Sequence, residues 1–114
     1  MTIFGEIFAS LTTLLINLNP NKLFSDTEIK KIGVCAGSGS SVLAGCPADL
    51  WITGEMSHHE VLDAVHNGTC VILCEHSNTE RGYLSVFAKK LSTMLDDKVE
   101  IFVSKTDEDP LKIV

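Results

Sequence analysis

Residues 31–74, KIGVCAGSGSSVLAGCPADLWITGEMSHHEVLDAVHNGTCVILC, decide the fold. Three apolar, β-rich runs at 31–36, 49–53 and 69–74 alternate with two stretches of helical character at 40–43 and 57–66. Strand, helix, strand, helix, strand in that order predicts an α/β fold, a layered sheet of mostly parallel strands with flanking helices. The runs IGVCA and CVILC are apolar on both faces, which places them as sheet-interior strands. Downstream, the pattern continues with a helical stretch at 78–96 and a fourth apolar run at 99–104. No internal repeat or low-complexity tract interrupts it.

Upstream of this region stands TIFGEIFASLTTLLINL, residues 2–18. Its apolar residues Ile3, Phe4, Ile7, Phe8, Leu11, Leu14, Leu15 and Leu18 follow a 3-4-3-4 spacing, which predicts an amphipathic helix over 1–18 docked on a core. The segment has neither the basic lead nor the continuous apolar block of a signal peptide. Glu6, Ser10, Thr12, Thr13 and Asn17 likewise argue against a membrane span. Asn17, Asn19 and Pro20 end the helix, and 20–30 reads as a polar connection. The expected organisation is therefore helix and connection over 1–30, then an α/β domain over 31–114.

With 114 residues, 45% hydrophobic and 21% charged, the chain has the composition of one ordinary globular domain. Disorder, collagen and coiled coil are excluded. A formal net charge of −6 opposes capture of nucleic acid or of an anionic membrane surface, so neither is an expected partner. The four cysteines Cys35, Cys46, Cys70 and Cys74 form no CxxC, and three lie in or beside apolar runs, where a free thiol behaves as a small hydrophobe. Reduced thiols in a cytoplasmic protein are the expectation.

Charge is unevenly placed. Residues 32–80 contain no Lys or Arg, yet hold Asp49, Glu55, Glu60, Asp63, Glu75 and Glu80 together with His58, His59, His66 and His76. Carboxylates and neutral imidazoles without competing cations suit a divalent metal; they equally suit solvated helix faces.

Open α/β sheets hold ligands at the carboxyl ends of their strands, and three strand-to-helix junctions carry the polar residues here. At the first, Gly37, Ser38, Gly39 and Ser40 form either an anion-binding loop or a tight turn with serine caps. The third position of a GxGxxG pattern is Val42, and no Lys follows to make a P-loop. The second junction runs from Thr53 to Glu60, where Ser57 and Glu60 form a capping box. Glu55 is free to turn toward the strand end with one histidine, while adjacent His58 and His59 diverge by about 100° on a helix. The third junction contains His76, Ser77, Thr79 and Glu80. Helical i, i+4 spacing brings His76 and Glu80 together as ligands, and a Ser77–Glu80 capping box competes for the same glutamate.

The segments IGVCAGSGSSVL, ADLWITGEMSHHEVLDA and VILCEHSNTERGYL, with the terminal TDEDPLKIV, resemble the carboxy-terminal region of the Nif-three-like proteins, also called the GTP cyclohydrolase I type 2 family. The likeness runs from about residue 31 to 114. It implies an α/β protein that assembles into ring-like homo-oligomers around a pair of divalent metal ions. The family's late His-x-x-x-Glu metal motif falls on His76 and Glu80, which the resemblance makes ligands. Glu55, His58 and Thr79 then line the same pocket. The remaining family ligands, two histidines and an acid, belong to an amino-terminal half without a counterpart in this chain. Three functions follow: a metal-dependent hydrolase of the GTP cyclohydrolase I type 2 kind, a non-catalytic interaction module that partners a transcription factor, or a truncated product without activity.

Overall fold

The computed structural model describes Leu14–Ile16 and residues 28–109. By internal contacts the chain divides into two compact units, residues 1–79 and 80–114.

The first unit is built on a four-stranded sheet of order β1-β4-β3-β2, with β1 at Leu14–Ile16, β2 at Ile32–Ser38, β3 at Leu50–Glu55 and β4 at Cys70–Leu73. Strands β2, β3 and β4 are parallel, as the alternation of elements predicts; Ile32 pairs with Leu50, and Leu50 with Cys70. Helix α1, Ser40–Leu43, connects β2 to β3, and α2, His58–His66, connects β3 to β4. Asp49 joins the entries of two strands. Its carboxylate accepts the backbone N–H groups of Lys30 and Lys31 at 2.8 and 2.7 Å, and these donors hold its pKa below the ordinary value.

Trp51, Val61, Ala64, Leu43 and Val71 form the core cluster between the sheet and its helices. Helix α2 is fastened at its start by the capping box its sequence predicts: Ser57 N–H donates to Glu60 Oε2 at 2.8 Å, and Glu60 N–H donates to Ser57 Oγ. Its buried residues, Val61 and Ala64, are three apart and share one face. All four cysteines are free; burial raises the thiol pKa of Cys70 and Cys74.

Three expectations about strands are corrected. Leu14–Ile16, inside the span predicted as helix, is strand β1, paired antiparallel with β4 through Leu14–Leu73 and Ile16–Val71. Here Leu14, Leu15 and Ile16 are three consecutive apolar residues, a run that suits a strand as well as a helix stripe, and pairing with β4 decides it. The rest of the predicted helix, and residues 20–27 of the polar connection, lie outside the described residues. Next, β2 is not interior. It is an edge strand of the described sheet, and Ile32 and Val34 are 57% and 54% exposed. Finally, residues 99–104 form no strand.

The predicted helix at 78–96 is two helices, α3 at His76–Arg81 and α4 at Leu84–Met94, separated at Gly82 and Tyr83. In the second unit, Arg81 closes on the acidic segment near the chain's end. Its guanidinium reaches Asp107 at 2.7 Å and Asp109 at 3.3 Å, and Asp107 foremost raises the arginine pKa. Along α4, Tyr83 stacks on Phe87 with centroids 6.1 Å apart, and Lys90 Nζ lies 5.4 Å from the Tyr83 ring centroid. Among the described residues, no helix is long and apolar enough to cross a membrane.

Candidate functional site

The three polar junctions meet at the carboxyl ends of the parallel strands. Close backbone approach makes this possible, and Gly54 marks the place: a Cβ there would lie 2.6 Å from the Gly37 carbonyl oxygen and 2.8 Å from His76 Cα. Only glycine fits between the β2 and β4 exits. Thr53, fully buried on β3, donates its hydroxyl to the Gly37 carbonyl at 3.1 Å, so this buried polar side chain is satisfied.

The end of β2 is irregular. Cys35 pairs with Thr53 but Ser38 with Glu55, which leaves one extra residue in β2, and Gly37 takes φ +66° there. The bulge turns Gly37 N–H to the third junction, where it donates to Thr79 Oγ1 at 2.8 Å. Thr79 Oγ1–H in turn donates to the His76 carbonyl at 2.7 Å. One hydroxyl thus staples two junctions. Helix α1 starts after Gly39 with no side-chain cap, and a Cβ at Gly39 would collide with Thr53. Gly37 N–H is thus committed to Thr79, and Gly39 leaves no room for a Cβ beside Thr53.

At the mouth of this arrangement, His76 Nδ1 and Glu55 Oε1 are 2.9 Å apart. Both side chains are about half exposed, 46% and 53%, so solvent screening leaves this pair little weight as a source of stability. Its consequence is orientation: the Nδ1–H donating to Glu55 fixes the plane of the ring. The backbone before it is strained, because Glu75 has φ +68°, a left-handed conformation unusual for a residue with a Cβ. That turn places His76 as the first residue of α3, so Ser77 lies inside the helix and is not its cap. Glu80, four residues on, is exposed and begins the second unit. His58, first residue of α2, sits edge-on to His59 with ring centroids 5.8 Å apart. The side chain that reaches His76 from this junction is Glu55.

The family resemblance put Glu55, His58 and Thr79 in one pocket with His76 and Glu80; the structure brings Glu55 and Thr79 to His76, and adds Thr53 and Gly54 as the pieces that hold the junctions together. The signal was available: a threonine and a glycine closing the otherwise apolar run LWITGE. Among the described residues, no group of three His, Cys, Asp or Glu is placed to hold a metal ion. The chemistry of His76 nonetheless suits one side of such a site, since metal-bound histidines ordinarily donate their second ring N–H to a carboxylate.

Comparison with known proteins agrees with this architecture. Residues 4–110 match the family model described as Duf34/NIF3 (NGG1p interacting factor 3). Over 89 residues the chain is 56% identical to human NIF3-like protein 1, covering 78% of this chain and 24% of that protein. It is 50% identical over 92 residues to NGG1-interacting factor 3 of Saccharomyces cerevisiae, covering 79% of this chain and 31% of the yeast protein. A Bacillus cereus protein related to NIF3 superposes with a TM-score of 0.69 at 27% identity, over 90% of this chain and 28% of its own. The chain thus spans about a quarter to a third of the length of these relatives. It belongs to the Duf34/NIF3 family.

Proposed function

We propose that this chain contributes one side of a divalent-metal site, with His76 and Glu80 as ligands, in a metal-dependent hydrolase of the GTP cyclohydrolase I type 2 kind. The observation that carries the reading is the Glu55–His76 contact, a carboxylate holding an imidazole by its far nitrogen at the end of a parallel sheet. Glu80 enters on its place in the sequence, four residues after His76, and on the family resemblance. A bound divalent ion supplies Lewis-acid chemistry, polarising a carbonyl or phosphoryl oxygen of the substrate. The chain's own residues do the positioning. Glu55 sets the tautomer and plane of His76, Thr79 ties the first turn of α3 to the β2 exit, and Gly54 admits both at close range. Two donors do not close a site, so the remaining ligands come from outside the described residues, and a homo-oligomer is one way to bring them.

The test is metal affinity. Titrating the chain with Mn²⁺ or Zn²⁺ by calorimetry should give one saturable site, abolished in His76→Ala and in Glu80→Ala. Glu55→Gln should weaken it by about 10–100-fold, the usual consequence of losing an outer partner of a metal-bound histidine. Equal affinity in the native chain and in His76→Ala overturns the proposal.

A second reading rests on the yeast relative, which is named for interaction with NGG1. Under it the chain is a non-catalytic module that docks a transcription-factor partner in a cytoplasmic or nuclear assembly. Metal affinity is then absent, and binding of the partner survives His76→Ala.

A further inference from the structure

Beside the strand ends, the first unit contains a cleft of about 600 Å³ between α2 and the turn that follows α1. Its floor is Trp51, with Met56 and Ala64 beside it. The indole is held in place from two directions. Its Nε1–H donates to the Cys46 carbonyl at 3.3 Å, and a Cβ at Gly33 would lie 3.0 Å from its Cδ1, so β2 seats the ring only because residue 33 is glycine. Trp51 and Ala64 are 8% and 3% exposed, so the base of the cleft is part of the packed core.

The rim has the opposite character. Helix α2 sets His59, Glu60 and Asp63 along it, and among the described residues no Lys or Arg lines the cleft. Glu60 is fixed as well as charged: Ser57 N–H first, then the hydroxyls of Ser57 and Ser40, hold its carboxyl below the ordinary carboxylate range. An open cleft of this volume, an aromatic floor held by hydrogen bonding and packing, and a one-sided anionic rim together make a small-molecule site, for which about 300–1,000 Å³ is the usual size.

We propose that this cleft binds a small organic cation, an ammonium group on an apolar, aromatic stem, with the stem against Trp51 and the ammonium beside Asp63 and Glu60. Anions are repelled by the same rim, and neutral molecules gain only the floor. None of these residues belongs to the Glu55–His76 arrangement, so the proposal stands or falls independently of the metal reading.

Trp51 is the only tryptophan of the chain, so its fluorescence reports directly on the cleft floor. The chain is titrated with phenethylammonium, with neutral 2-phenylethanol and with phenylacetate. The amine should give a saturable change, the alcohol should bind about tenfold more weakly, and phenylacetate should give none. Asp63 is exposed, and Asp63→Asn should weaken the amine about fivefold while leaving the thermal transition in place. Asp63→Lys should reverse the preference and admit phenylacetate. The proposal is overturned by equal binding of all three probes, by the absence of a saturable change with the amine, or by unchanged amine affinity in both variants.

Discussion

Glu75 is the residue on which the candidate site turns, quite literally, since its φ of +68° redirects the chain from β4 into α3. A left-handed conformation carries an intrinsic penalty of roughly 1–2 kcal/mol in a residue with a Cβ, and glycine removes most of it. Glu75→Gly should therefore raise stability by about 0.5–1 kcal/mol in urea denaturation, the gain reduced by the extra freedom glycine has when unfolded. A loss of stability would mean that the Glu75 side chain does more than occupy the turn. The same scale separates the acidic residues that composition alone groups together. Asp49 caps strand entries, Glu60 closes a helix start, and Glu55 holds His76. Of these three, the last faces an imidazole, that of His76, although all lie within a segment without Lys or Arg.

At the scale of elements, local rules worked where the signal was local. The capping box of α2 was legible because Ser57 and Glu60 are three residues apart and satisfy each other's backbone without help from the fold. Ser57→Ala should destabilise the chain by about 1 kcal/mol and leave divalent-ion affinity unchanged, measured by thermal melting and calorimetry together. Local rules failed at residues 14–16 and 99–104. Short apolar runs satisfy a strand and a buried helix stripe alike, and only a partner chooses; β4 is available to Leu14–Ile16, whereas 99–104 pairs with no strand. The break between α3 and α4 follows from Gly82, a poor helix former that the longer periodic pattern had absorbed.

Taken as a whole, the first unit carries two carboxyls that polar contacts hold below their ordinary pKa. At the amino ends of the strands, Asp49 accepts two backbone N–H groups and its pKa is lowered for that reason; Glu60 at α2 is lowered likewise. A carboxyl whose pKa is lowered on folding stabilises fully above its unfolded value of roughly 4, and the contribution disappears as pH falls through the lowered native value. Stability should accordingly fall on the acid side below about pH 5. In Asp49→Asn the fall should be shallower, and the difference between native chain and variant in urea midpoint should shrink between pH 6 and pH 2.5. A difference that stays constant across that range would assign Asp49 no role as an anion.

The α/β class, the three parallel strands, the α2 cap and the candidacy of Glu55, His76 and Glu80 at their junctions were legible in the sequence, because periodicity, capping and junction chemistry act within a few residues along the chain; His58 and Thr79 joined them through the family resemblance. Tertiary structure decided which strand takes the edge, that Leu14–Ile16 extends the sheet, and how the three junctions meet. Those outcomes depend on Gly54, Thr53 and Gly37 approaching within hydrogen-bond or van der Waals range across intervals of up to 42 residues, from Gly37 to Thr79. Such intervals leave no period in the sequence. Only the packing of the sheet brings them together.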